Sequence, residues 1–232
     1  TAEGLGTVQL AANGITPWTP ETPALYTLRV TVTANGTADT AEQRIGIRTI
    51  QVSSKTGLLL NGQPRTMKGG CIHHDLGILG AADHAAAERR RIRLMKESGF
   101  DAIRAAHNPF GPAFLDACDE LGMLVVEEAF DEWVMGRTSF GLHVTFEQCW
   151  EKDLEDMITR DYNHPCIVMW STGNEVEERD GTADGFAWAK RLADKVRSLD
   201  ASRPVSATAC ALFSEYGNRP AGGTTGNQAL NM

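Results

Sequence analysis

One short segment constrains the fold of this chain more than any other, an unbroken apolar run that begins at Cys166 and ends at Trp170. The run follows Pro165, and small residues separate it from the pair Asn174-Glu175. Continuous apolar strands of this length are typical of sheets that are buried on both faces. Such a strand brings an amide and a carboxylate to its C-terminal end, where parallel sheets and barrels carry their functional groups.

From about residue 64 onward, short apolar segments alternate with amphipathic ones, which predicts βαβ units and a parallel sheet. Five apolar segments are expected to be strands: 67–72, 102–106, 124–128, 167–170 and 204–208. Four amphipathic segments are expected to be helices: 86–98, 112–121, 146–160 and 186–198. A complete (β/α)8 TIM barrel takes about 250 residues. We therefore predict an α/β fold with a partial barrel of about five units, from an excised piece of a longer protein or an incomplete gene.

The first part of the chain follows a different pattern, rich in Thr, Val and Gly. Residues 26–32 alternate between apolar and polar side chains, as a half-buried strand does. The pair Asn35-Gly36 is a hairpin signal, and residues 43–50 are expected to form the return strand. We predict a small antiparallel β-sandwich over residues 1–63, either complete or cut at its start.

Composition argues against several classes of partner. The net charge of −8 disfavours broad binding to nucleic acid or to anionic membranes. No segment approaches the roughly 20 consecutive apolar residues that a membrane-spanning helix needs. The five cysteines lie far apart, without a Cys-x-x-Cys pair, which argues against a disulfide framework or a zinc cluster. We interpret them as reduced, which favours a reducing, cytoplasmic compartment.

The segment from Asn163 to Glu175, which reads NHPCIVMWSTGNE, resembles the acid/base signature of family 2 glycoside hydrolases. That family includes β-galactosidases, β-glucuronidases and β-mannosidases. Its signature glutamate is the general acid/base, so the resemblance assigns this role to Glu175. The family uses the preceding amide, here Asn174, to hydrogen-bond the sugar 2-hydroxyl, a contact that strengthens in the oxocarbenium-like transition state.

The N-terminal region carries a second resemblance to the same family. Residues 17–23 and 46–48 are similar to its immunoglobulin-like domain, which precedes the catalytic domain. We therefore predict two domains, an immunoglobulin-like sandwich over residues 1–63 and the N-terminal part of the catalytic barrel over residues 64–232.

Two further strand ends resemble sequences of this family. The segment KGGCIHHD resembles one whose first histidine lines the sugar subsite, which assigns His73 to the subsite and Asp75 to its acidic position. The segment IRAAHNP resembles one whose arginine lies near the nucleophile and whose histidine binds substrate, and Arg104 and His107 inherit these roles. Adjacent residues on a strand point to opposite faces, so His73 and His74 would chelate a metal poorly.

The segment EEAFDEW, residues 127–133, resembles the family's Asp-Glu-Ala sequence and the loop after it. Glu132 occupies the first position of the magnesium site found in some β-galactosidases, but Val134 stands where the second ligand, a histidine, would be. We therefore predict no metal and no other cofactor. Trp133 is open to two interpretations, a sugar-stacking wall or a packed indole.

Retaining glycosidases need a second carboxylate that attacks the anomeric carbon. Glu215 lies in a Glu-Tyr-Gly sequence that resembles the nucleophile motif of some members. It follows Glu175 too closely, because the resemblance places the nucleophile two strands further along the barrel. We interpret Glu215 as unrelated to that role and expect the nucleophile beyond Met232, so this chain alone should hydrolyse little.

The resemblance implies a retaining exo-β-glycosidase, in the first place a β-galactosidase acting on a β-glycoside or oligosaccharide. One alternative is a β-glucuronidase of the same family, which would need cationic or amide groups for the uronate. Another is a non-catalytic carbohydrate-binding or interaction protein on a decayed barrel. We expect no nucleic-acid or membrane partner and leave a homo-oligomer of the full-length protein open.

Overall fold

The computed structural model describes residues 8–11 and 13–208, and its first elements are antiparallel strands. β1 (Tyr26–Ala34) pairs with β2 (Thr37–Ile45) around the turn at Asn35-Gly36, where both residues have positive φ. This conformation is the one that Asn-Gly hairpins favour. A separate three-stranded sheet consists of β3 (Ile50–Ser53), β4 (Gly57–Leu60) and β5 (Gln63–Pro64). The pairing of β1 with β2 is the hairpin that the sequence predicts.

The main element is a five-stranded parallel sheet in chain order. Its strands are β6 (Gly69–Ile72), β7 (Ala102–Ala105), β8 (Leu124–Glu128), β9 (Ile167–Asn174) and β10 (Val205–Thr208). The connecting helices are α1 (Ala85–Glu97), α2 (Pro112–Leu121), α3 (Phe146–Asp161) and α4 (Gly185–Leu199). The predicted partial barrel of five strands is confirmed.

The return strand of the hairpin begins at Thr37 and ends at Ile45, so both of its ends lie earlier in the chain than predicted. Gly46 lies so close to Pro165 that an added Cβ would stand 2.6 Å from the proline ring. The next carbonyl, that of Ile47, accepts the backbone N–H of Trp18 at 2.8 Å. Packing against the barrel thus interrupts the strand here. The division of the chain at residues 63 and 64 stays a prediction.

Strand β9 is longer than its apolar run and continues to Asn174. Ser171 pairs with Glu128 of β8, so the polar part of the strand stays in the sheet. Gly173 allows close packing, since an added Cβ would lie 2.7 Å from Nε1 of Trp133. The small residues after the apolar run therefore leave room for the paired strand to continue to Asn174, at the C-terminal end of the sheet.

The helices bury apolar faces at the predicted spacing of three to four residues. The buried apolar residues of α3 and α4 are Phe146, Leu154, Met157, Ile158, Trp188, Ala189, Leu192, Ala193 and Val196. Trp150 is partly buried and packs edge-on against Trp188, with 5.7 Å between the ring centroids. No helix within residues 8–11 and 13–208 is long and apolar enough to cross a membrane.

The N-terminal region packs on the end of the barrel at which the parallel strands begin, opposite the end that carries Asn174. Trp18 is fully buried, and its Nε1 donates to the carbonyl of Asp119 at 2.9 Å. Arg48 donates to the carbonyl of Ile167, at the start of β9, at 2.7 Å. Burial, with the nearby charge of Arg203, lowers the pKa of Arg48 to about 10. These contacts join the two regions through buried polar groups.

Candidate active site

A fully buried carboxylate, Glu128, lies at the centre of the polar groups at the C-terminal end of the sheet. Arg104 of β7 contacts both of its oxygens, with Nε 3.0 Å from Oε2 and Nη2 2.9 Å from Oε1. His107 Nδ1 lies 2.7 Å from Oε1, and Ser171 Oγ donates to Oε2 at 2.6 Å. A buried charge is stable only with such partners. Glu128 therefore holds two predicted site residues in place.

Glu127, next to it on β8, faces the opposite side of the sheet, as strand geometry requires. Its Oε1 accepts the backbone N–H of Phe110 at 2.8 Å. Burial, reinforced by the negative charge of Asp161, raises the pKa of Glu127 well above its usual range. Glu127 is thus a buried core carboxyl on the helix side of the sheet, and its surroundings favour its protonated form.

Asn174, the last residue of β9, connects two charged side chains. Its Oδ1 accepts Nη2 of Arg104 at 2.8 Å, and its Nδ2 donates to Oδ1 of Asp131 at 2.8 Å. The side chain is buried. Both ends of the amide are used, so its orientation is set by an arginine on one side and a carboxylate on the other.

Glu175 follows directly, at the rim of the site. Its φ of 45° lies in the left-handed region, which non-glycine residues seldom adopt, and its N–H donates to the carbonyl of Thr208 at 2.9 Å. The side chain is 51% exposed, and Oε2 lies 3.7 Å from Nη1 of Arg137. The carboxylate is therefore open to solvent on one side and faces a guanidinium on the other.

The two predicted histidines stand together. The rings of His73 and His107 meet edge to face at 5.0 Å between centroids. His74 faces elsewhere and stacks on Phe110 at 4.0 Å. The neighbouring histidines thus occupy different environments, as expected from their adjacency on the chain.

Asp75, also predicted as a site residue, uses its carboxylate locally. Oδ1 accepts the backbone N–H of Gly77 at 2.8 Å, which closes a turn after β6. Its carbonyl accepts Nη1 of Arg91 at 3.3 Å. Its predicted role in substrate binding stays a prediction.

Glu132 organises the loop between β8 and α3. The carboxylate is buried and accepts the backbone N–H of Arg137 at 2.9 Å and that of His143 at 3.1 Å. Burial would raise the pKa of Glu132, but these bonds and the His143 ring outweigh it and lower the pKa. Trp133 is buried and donates to the carbonyl of Thr172 at 2.8 Å, which favours the packed indole over the sugar-stacking wall.

One group within residues 8–11 and 13–208 has three side chains close enough to hold a metal ion, namely Asp119, His164 and Cys166. It lies at the start of β9, away from Glu175. Asp119 accepts His164 Nδ1 at 2.6 Å and the backbone N–H of Cys166 at 2.9 Å. Burial raises the pKa of the Cys166 thiol well above its usual range, so it stays protonated. These contacts explain the group without an ion.

The structure therefore brings together most of the predicted site residues. Arg104, His107 and Asn174 share one network, and His73 contacts His107 through its ring. Three members were not singled out from the sequence as site residues: Glu128, Asp131 and Arg137. The match of residues 127–129 to a family sequence was the available signal for Glu128. The interpretation of Glu215 concerns a residue that lies outside the described part of the chain.

A comparison with known proteins identifies the family of this chain. The family model described as "Glycosyl hydrolases family 2, TIM barrel domain" matches residues 50–216. This chain belongs to glycoside hydrolase family 2. The model "Glycosyl hydrolases family 2" matches residues 3–48, ahead of the barrel. The predicted membership is confirmed.

Relatives within family 2 include several β-glycosidases. The chain is 37% identical to the β-galactosidase BoGH2A of Bacteroides ovatus, over 87% of this chain and 27% of the relative. A family 2 member from Bacteroides cellulosilyticus has a TM-score of 0.81 and 42% identity, over 84% of this chain and 25% of that one. The chain thus spans about a quarter of the length of these relatives.

Two other family 2 structures are named for different sugars. The β-glucuronidase of Parabacteroides merdae has a TM-score of 0.71 and 30% identity, over 84% of this chain and 24% of that one. A β-galacturonidase from Eisenbergiella tayi, bound to galacturonate, has a TM-score of 0.78 and 33% identity, over 89% and 36%. Membership therefore indicates a β-glycosidase without selecting its sugar.

Proposed function

We propose that this chain carries the acid/base half of a retaining exo-β-glycosidase, and that its substrate is a β-galactoside. The observation that carries the proposal is Glu175, which emerges at the end of a buried strand beside the network of Glu128, Arg104 and Asn174. A retaining mechanism needs one carboxyl group that protonates the glycosidic oxygen and later deprotonates water. The Glu175 side chain is half exposed at the rim, so solvent has access to its carboxylate, as the second step requires.

The neighbouring polar groups suit recognition of a pyranose. Asn174 is held where its amide can meet a sugar hydroxyl, and the resemblance assigns it the 2-hydroxyl. The rings of His73 and His107 form an adjacent wall, and Arg104 supplies a fixed positive charge. A positive charge beside a nucleophilic carboxylate would keep that carboxylate ionised.

We propose that the nucleophile lies beyond Met232. The acidic groups of the described network already have partners: Glu128 is buried against Arg104 and His107, and Asp131 accepts Asn174 and Arg137. We therefore assign the role of nucleophile to neither of them. The 232-residue chain by itself is therefore expected to hydrolyse little.

A β-glucuronidase is the second candidate, favoured by the likeness to the enzyme of Parabacteroides merdae. A uronate would need a cationic partner at its carboxylate. Turnover of p-nitrophenyl β-galactoside, β-glucuronide and β-galacturonide by the full-length protein separates these candidates. The galactoside should give the highest kcat/KM.

The decisive variant is Glu175→Gln in the full-length protein, with Glu97→Gln on the exposed face of α1 as its control. Loss of a general acid/base lowers turnover by about 10²–10⁴-fold. We expect that loss for phenyl β-galactoside with Glu175→Gln and unchanged turnover with the control. Equal turnover by wild type and Glu175→Gln would refute the acid/base role and favour the non-catalytic alternative.

A further inference from the structure

The position of Glu175 raises a question of geometry. A general acid has to stand within hydrogen-bond reach of the oxygen that it protonates. The Glu175 backbone is held by its N–H bond to Thr208, but the side chain is half exposed and has several rotatable bonds. An exposed glutamate samples many rotamers, so something besides the strand has to orient this carboxylate.

The charged group beside the Glu175 carboxylate is the guanidinium of Arg137, which other contacts hold in place. Nη2 donates to the backbone carbonyl of Asp131 at 2.7 Å and also to its carboxylate. The backbone N–H of Arg137 is bound by the buried carboxylate of Glu132 at 2.9 Å. A guanidinium is planar, so contacts through Nη2 also fix where Nη1 points. Nη1 lies 3.7 Å from Oε2 of Glu175.

Asp131 links this arginine to the buried network. The carboxylate that holds Arg137 also accepts Nδ2 of Asn174 at 2.8 Å. Asn174 is in turn bound by Arg104, which is paired with Glu128. A continuous series of donors and acceptors therefore connects the buried centre to the rim: Glu128, Arg104, Asn174, Asp131, Arg137 and Glu175.

We propose that Arg137, held by Asp131, is a positioning residue for the acid/base Glu175. This inference rests on the proposed role of Glu175. The guanidinium limits the rotamers of the Glu175 side chain and holds its carboxylate on the Arg137 side of the rim. A simpler reading is that Arg137 only ties its own loop to Asp131, and the experiment has to separate the two.

Substrates whose leaving groups differ in their need for a proton distinguish a positioning role of Arg137 from a purely structural one. A 2,4-dinitrophenolate departs without a proton, whereas an unsubstituted phenolate depends on the general acid. Misplacement of a catalytic group by about 1 Å can cost 10²-fold in rate. We expect Arg137→Met to lower kcat/KM for the phenyl β-glycoside about 10- to 100-fold and for the dinitrophenyl β-glycoside less than about threefold.

Two further variants report on the same mechanism. Arg137→Lys keeps the positive charge but loses the planar, forked guanidinium. It should therefore retain more phenyl-glycoside activity than Arg137→Met. Asp131→Asn keeps the size of the side chain while removing the guanidinium's charged partner, and should show the same dependence on leaving group. Asp131→Asn also tests the proposal if the Arg137→Met variant does not fold. Arg93→Met, on the exposed face of α1, is the matched control and should leave both substrates unchanged.

The outcomes are distinct. A larger loss for the phenyl than for the dinitrophenyl substrate supports the positioning role. An equal loss for both, or no loss, overturns it and leaves Arg137 as a loop contact. Full turnover by Glu175→Gln would instead defeat the proposed function itself, whatever Arg137→Met does.

Discussion

At the scale of single residues, the centre of this site is a carboxylate that has no contact with solvent. Glu128 is fully buried and is stabilised by the guanidinium of Arg104, the ring of His107 and the hydroxyl of Ser171. Removing one partner from a buried ion pair leaves an uncompensated charge, which is far more costly than losing an exposed pair. Glu128 therefore serves both stability and the orientation of site groups.

We predict that Glu128→Gln lowers the free energy of unfolding by about 3–5 kcal/mol, because Arg104 would remain charged beside a neutral amide. Urea denaturation measures this change. Glu42→Gln is the control, since Glu42 pairs with Arg29 on an exposed hairpin, and such pairs contribute about 0–1 kcal/mol. Equal effects of the two variants would contradict the prediction.

At the scale of elements, the loop between β8 and α3 depends on one buried side chain. Glu132 receives backbone N–H groups from both halves of this loop, at Arg137 and His143. Its pKa is lowered in the folded protein, so its contribution to stability is present above the unfolded glutamate pKa of about 4.3. That contribution is lost as the pH falls through the lower, folded pKa.

We predict that Glu132→Gln loosens this loop while leaving the sheet intact. Hydrogen bonds to a charged group contribute about 1.5–3 kcal/mol, which corresponds to at least about tenfold in an opening equilibrium. Hydrogen exchange at the amides of Arg137 and His143 should accelerate by about that factor. Glu147→Gln, an exposed change nearby on α3, should not alter these two amides. Unchanged exchange in Glu132→Gln would show that other contacts hold the loop.

At the scale of the whole molecule, the N-terminal region and the barrel share a buried boundary. Trp18 is inaccessible to solvent and bonds to the carbonyl of Asp119, and Gly46 packs on Pro165. Arg48 donates to the carbonyls at the start of β9. The two regions are therefore expected to unfold together.

We predict that Trp18→Ala lowers the free energy of unfolding by about 3–5 kcal/mol, as loss of a large buried aromatic does. The transition should remain single in urea when followed by both fluorescence and circular dichroism. Phe140→Ala is the control, because Phe140 is almost wholly exposed and its loss should cost less than about 0.5 kcal/mol. Separate transitions for the two regions would contradict this view.

Prediction from the sequence was most successful where the signal is local. The predicted bounds of helix α2 match the observed ones, and local residues explain them: Pro112 suits the first turn of a helix, and Gly122 adopts the left-handed conformation that ends one. The extension of β9 through Ser171 and Gly173 was missed, because small polar residues carry no apolar periodicity. Pairing with β8 and β10 keeps that stretch extended.

The residues of the site were predicted only in part. Arg104, His107 and Asn174 were found through sequence resemblance, yet nothing in the sequence paired Arg104 with Asn174, which is 70 residues away. Arg137 was missed as a partner of Glu175 because its place depends on how Glu132 and Asp131 fold the loop around them.

The sequence by itself determined the alternation of strands and helices, the parallel sheet and the strand ends at which polar residues stand. All three follow from the spacing of apolar residues within short segments. That spacing decides which face of a helix or strand can be buried, and burial of apolar surface is the main force that drives folding. Only the tertiary structure decided which charges meet. Parallel pairing brings the ends of distant strands together, and a buried carboxylate such as Glu128 then needs whatever cations that register places beside it.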